Sequence, residues 1–124
     1  MIRFVHCIKR HPDLSVADFR KYWKSSEFTN LLEKIADIRS AKRVARNLTL
    51  LIEMNIRLMQ DRGSAEPFDA ILEIWWENAQ EFSDKLESAE FQQAFQEMEA
   101  FQRRFVDFTT SRRFFTEWEA SDDK

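Results

Sequence analysis

Glycine is almost missing from this chain: among 124 residues only Gly63 is one. A single glycine excludes a Gly-rich phosphate-cradling loop and a dinucleotide-binding fingerprint, which need several close backbone approaches. Cysteine is as scarce. Cys7 alone rules out an intrachain disulfide and suits a reducing compartment. No base or electropositive setting marks it as a nucleophile, so it reads as a small buried hydrophobe on a strand. Only two histidines occur, His6 and His11, and no His/Cys/Asp/Glu set has ligand spacing, so neither a metal nor another cofactor is expected. A nucleophile elbow is absent too. No segment approaches the ~20 apolar residues of a membrane span, and no apolar h-region opens the chain. A cytoplasmic protein without a membrane partner is the expectation. The formal charge of −3 and a pI near 5.5 leave no basic footprint. Arg103 and Arg104 lie among phenylalanines, but acidic residues surround them, so nucleic acid is not an expected partner.

Aromatic residues are plentiful instead, with twelve Phe and four Trp. That exceeds what one small core usually buries and points to a lined pocket or an oligomer interface. The length suits one core. Residues 1–119 read as a single domain and 120–124 as an acidic tail expected to be disordered.

Residues 68–78 (FDAILEIWWEN) organise the rest. At a period of two, Ala70, Leu72, Ile74 and Trp76 make an apolar face, suited to cover by helices. Asp69, Ile71, Glu73, Trp75 and Glu77 make a mixed face, suited to a cavity or a partner chain. Residues 2–9 (IRFVHCIK) read as a central strand, apolar on both faces. The turn at His11–Pro12–Asp13 leads to Ser15, which can cap a helix with Asp18 returning the bond. Val16, Phe19, Trp23, Leu31, Ile35 and Ile38 form that helix's buried stripe, with a kink or restart around Ser25–Thr29. Residues 41–47 read as an Arg-rich edge strand. Residues 48–62 read as a short helix closed by Gly63, lying near a barrel mouth. Residues 79–86 and then 88 onward read as helices, with Phe91, Phe95, Met98, Phe101 or Gln102, and Phe105 at helical spacing. Residues 112–118 close the order as a last strand.

The order βαβ(α)βαβ predicts an α+β, ferredoxin-like fold, a four-stranded antiparallel sheet with its helices on one face. Phe4, His6, Ile8, Ile71, Trp75 and Phe115 are expected on the uncovered face. Leaving that face wet would cost ~25 cal/mol per Å², so a homodimer is expected.

The opening MIRFVHCIKRHPDLSVADFRKYW resembles the N-terminal pattern of EthD-type proteins of the dimeric α/β-barrel superfamily. In that family an apolar strand runs through a Lys/Arg–Pro–Leu–Ser turn to a helix ending in Tyr-Trp. Residues 69–76 (DAILEIWW) are similar to its Asp-Gly-x-x-Glu-x-Trp pattern, with Ala70 in place of the glycine, and residues 43–47 fit its second strand. The resemblance implies a dimeric barrel whose relatives are associated with oxidative degradation pathways and with dehydratase, decarboxylase or cyclase steps. Two family histidines are replaced. Glu27, Phe28 and Thr29 stand where His-Gly-Pro commonly follows the Tyr-Trp, and Leu48 stands where a histidine follows the second strand.

Strand parity groups His6 with Glu73 as candidate catalytic residues. His6 can act as general acid or base in an apolar pocket, or be a satisfied interface histidine. Glu73 can be an acid or base of raised pKa, or can pair with Arg46 or Arg113. Glu27 either replaces the family histidine's role or is a solvated helix-end residue. Phe4, Ile8, Tyr22, Trp23, Glu27, Ile71 and Trp75 are the expected substrate-binding residues. The function expected is binding or cofactor-free transformation of a small, largely apolar organic molecule. A non-catalytic binding or structural homodimer that has lost the family's histidines is the alternative.

Overall fold

A computed structural model describes residues 1–83 and 87–119. The tail at 120–124 and the end of the helical piece expected over 79–86 lie outside the described residues. The elements are β1 (Ile2–Ile8), α1 (Val16–Trp23), α2 (Ser26–Arg39), β2 (Arg43–Leu48), α3 (Glu53–Arg62), β3 (Ala70–Trp76), α4 (Ala79–Ser83), α5 (Ala89–Gln102) and β4 (Arg112–Glu117). The strands form one antiparallel sheet in the order β2-β3-β1-β4. This is the ferredoxin-like arrangement, with the Arg-rich β2 at an edge as its composition predicts.

Local chemistry explains the breaks between helices. Ser15 Oγ accepts the Asp18 amide at 3.1 Å and starts α1, while the Asp18 carboxylate faces Lys21 at 3.7 Å. Ser25 ends one helix and begins the next: its hydroxyl donates to the Tyr22 carbonyl at 2.7 Å and accepts from the Phe28 amide at 3.2 Å. The interruption expected around 25–29 is therefore a stop and restart. Ser88 caps α5 in the same way, accepting from the Phe91 amide at 3.1 Å. Gly63 ends α3 at φ +59°, a left-handed conformation that suits glycine.

The core lies between the sheet and helices α1, α2 and α5. Phe19, Phe28 and Phe105 are fully buried there, and the Phe28 and Phe105 rings meet edge to face 5.6 Å apart. Ala70, Leu72, Ile74 and Trp76 are buried against these helices, as the period-two pattern predicts.

Register corrects one expectation about β1. Ile2, Phe4, His6 and Ile8 stand opposite Trp76, Ile74, Leu72 and Ala70, and Phe115 stands opposite Phe4. Directly opposed residues share a face. Phe4, His6, Ile8 and Phe115 thus face the helices, not the uncovered side. The open face carries Arg3, Val5 and Cys7 from β1 with Ile71, Glu73 and Trp75 from β3 and Phe114 from β4. Ile71 and Trp75 are there as parity predicts. Segment α3 stands apart: none of its residues is buried, and Leu50, Leu51, Ile52, Met54, Ile56 and Leu58 are between 46% and 70% exposed.

Candidate functional site

Sheet and helices part at one end, between β1, β3 and β4 on one side and α2, α4 and α5 on the other, leaving a cleft of about 390 Å³. Phe4, Leu72, Ile74 and Trp76 make its floor, and α5 supplies Phe91 and Met98. Phe95 and Phe115, both exposed, stand at the rim. Cavities of this size, mostly apolar and holding a few convergent polar groups, are typical small-molecule sites.

The polar groups are few and distinct. His6 is 5% exposed and lines both this cleft and a neighbouring hollow of about 70 Å³ that Gln102, Phe108 and Ser111 also line. Burial, followed by the positive charge of Arg113, lowers its pKa to about 4. The imidazole is therefore neutral at physiological pH, and a neutral ring carries both a donor and an acceptor. Arg113 closes on Glu99 at 2.6 Å, which pairs both charges at the cleft edge. Arg39, the last residue of α2, is 2% exposed with its guanidinium between the Phe82 and Phe91 rings, 3.9 and 3.6 Å from their centroids. Its own carbonyl accepts the Trp76 indole N–H at 3.0 Å, which fixes this helix end to the end of β3.

A second hollow, about 470 Å³, lies under α3. Two of its charged groups are already engaged: Asp69 accepts from the Arg10 amide at 2.7 Å, and Arg20 donates to the Thr49 carbonyl at 2.6 Å. It offers less chemistry than the cleft despite its size.

The expected site residues fall into separate places. Phe4 and His6 line the cleft. Ile8 and Trp23 are buried in the core, at 0% and 4% exposure. Tyr22 stacks on Phe105 at 5.4 Å, and with the exposed Glu27 it borders a shallow surface depression. Glu27 meets Arg104 at 3.7 Å there. Glu73 is on the far side of the sheet, held by Arg3 at 3.1 Å and Asn47 at 3.0 Å. Its expected partners Arg46 and Arg113 instead reach Thr29 and Glu99. His6 and Glu73 consequently form no pair: they sit on adjacent strands with opposite parity. Trp75 is buried on that far side beneath Arg43, whose guanidinium lies 4.8 Å from its ring.

Sequence reasoning gave Arg39, Gln102 and Arg113 no place in the site. For Arg39 a signal existed, because it follows Leu32 and Ile35 by seven and four residues and so shares their buried stripe.

No curated protein matches the chain in sequence. The model of the EthD domain matches residues 11–109. Two solved structures are similar over nearly the whole chain. One is a dimeric protein of unknown function and ferredoxin-like fold from Bacteroides fragilis, with a TM-score of 0.59 and 11% identity over 94% of this chain and 95% of that one. The other is HapK from Hahella chejuensis, with a TM-score of 0.56 and 16% identity over 100% of this chain and 98% of the other.

Proposed function

The chain belongs to the EthD domain family, and on that footing we propose that it binds a small, largely apolar organic molecule in the cleft between sheet and helices, with His6 as a proton-transferring group. One observation carries this reading: a neutral, buried imidazole opens into an aromatic cavity of about 390 Å³. Proton transfer without a cofactor would then run as follows. The bond between an acidic hydrogen and the ligand breaks, its electron pair stays on the ligand, and the proton moves to an imidazole nitrogen of His6. With its pKa lowered to about 4, His6 is a weak base. Negative charge developing on a bound ligand would raise its pKa and so favour the transfer.

The same lowered pKa favours a second reading, in which the cleft binds without catalysing. Calorimetric titration with small aromatic compounds separates the outcomes. Binding that Ile35→Trp abolishes by filling the cleft supports the site. Turnover lost in His6→Ala with binding retained supports proton transfer. Binding without turnover in the unaltered protein leaves the non-catalytic reading. Failure of any compound to bind, or binding indifferent to Ile35→Trp, overturns the site.

Homodimerisation through the open sheet face belongs to the same proposal. Ile71 and Phe114 give that face apolar area, and the similar protein from Bacteroides fragilis is dimeric. Pairing two such faces would remove Phe114, 49% exposed, from water.

A further inference from the structure

Arg39 is a charge that the fold buries without using. It is 2% exposed, its Nε–H has no hydrogen-bond partner, and among the described residues no carboxylate forms an ion pair with it. Burial lowers its pKa to about 10, which still leaves the guanidinium charged at neutral pH. A buried cation of this kind is costly unless it is paired, and an orphaned buried N–H is rare enough to require a cause. Two things offset part of the cost. The faces of Phe82 and Phe91 sandwich the guanidinium, and the carbonyl end of α2 lies beside it. Neither supplies an acceptor for the Nε–H.

The rest of the cleft gives that vacancy a sign. Among the described residues Glu99 is the one carboxylate lining it, and it is occupied by Arg113 at 2.6 Å. His6 is neutral at physiological pH. The described lining therefore carries one uncompensated positive charge, fixed in orientation between two rings and surrounded by apolar walls.

We propose that the ligand of this cleft is an organic monoanion, a planar apolar body bearing a carboxylate or a comparable oxyanion, with Arg39 receiving the charged group. This rests on the cleft being the binding site and adds the chemical class of what fills it. Arginine suits the task because its planar fork can meet a carboxylate through two parallel N–H donors. Phe82 and Phe91 hold the fork in place before the ligand arrives, so less side-chain freedom is lost on binding.

The test compares naphthoate with naphthamide, which share a shape and differ in charge, by titration calorimetry at neutral pH. Naphthoate should bind the unaltered protein roughly ten- to a hundredfold more tightly than naphthamide. Arg39→Met should abolish that preference, the two probes then binding within about twofold of each other. Arg39→Lys, which keeps the charge and loses the fork, should narrow the preference without removing it; it decides the matter should the methionine variant fail to fold by circular dichroism. Equal affinity of the two probes for the unaltered protein overturns the anion while leaving the cleft as a binding site. A preference that survives Arg39→Met overturns Arg39 as its receptor. If neither probe binds, the cleft itself is not the site, and the anion falls with it.

Discussion

At the scale of single residues the fold spends stability on two side chains, His6 and Arg39. His6 has a testable signature. Its pKa is lowered from 6.5 to about 4 in the fold, so between those values the native state binds fewer protons than the unfolded chain. Stability then rises with pH across that window and is flat above it. On lowering the pH from neutrality to about 4, this one group should remove on the order of 3 kcal/mol. Urea unfolding of the unaltered protein and of His6→Gln at a series of pH values isolates the effect. The two curves should diverge below pH 6.5, and parallel curves would show that His6 does not carry it. The role of His6 as a polar residue among apolar ones was legible in the sequence, since Phe4 and Ile8 flank it at period two. Arg39 was not. A lone arginine near a helix end normally reads as solvated, and it is the folded chain that places it on the inner face beside Leu32 and Ile35.

Among the elements, β3 and the helix starts were readable because local chemistry determines them. The apolar face of β3 alternates cleanly and Ser15 read as a cap, whereas at Ser25 and Ser88 only a restart was legible, which their hydroxyls cap. Ser25→Ala should cost about 1 kcal/mol in urea unfolding through the lost α2 cap; no change in midpoint would mean that water replaces the hydroxyl without loss. Strand β1 was readable as a strand, but its facing was not. Phe4, His6 and Ile8 alternate with Val5 and Cys7, so both of its faces carry apolar residues and the pattern has no phase. A one-residue ambiguity in a strand exchanges its two faces. That exchange is what joined His6 to Glu73 in the sequence reading, and pairing with Leu72 separates them. Helix α3 is the opposite case, a helix that its own packing barely supports. Ten residues with no buried side chain are marginal alone. Its amides should exchange with deuterium well before those of α5, as read by mass spectrometry; equal protection would mean that something covers α3 in solution.

For the whole molecule, fold class followed from element order, since a split pair of βαβ units has few sheet arrangements open to it. What the two sides of the sheet do could not follow from order alone, because it depends on register. The proposed pairing of open faces predicts a light-scattering mass of twice the 14.9 kDa chain at micromolar concentration. Phe114→Glu, at an exposed position opposite Val5, should give monomers whose circular dichroism is unchanged. A monomeric unaltered protein, or a variant that remains dimeric, would rule out this face as the interface. The tryptophans are divided between the same two sides of the sheet. Trp76 lines the cleft, whereas Trp75 on the open face meets Trp118 with ring centroids 6.2 Å apart at 86°. Neighbouring indoles so placed couple their electronic transitions, while Trp76 lies within reach of whatever enters the cleft. The chain thus holds two intrinsic optical reporters facing opposite ways: the paired indoles for assembly in near-ultraviolet dichroism, and Trp76 emission for occupancy of the cleft.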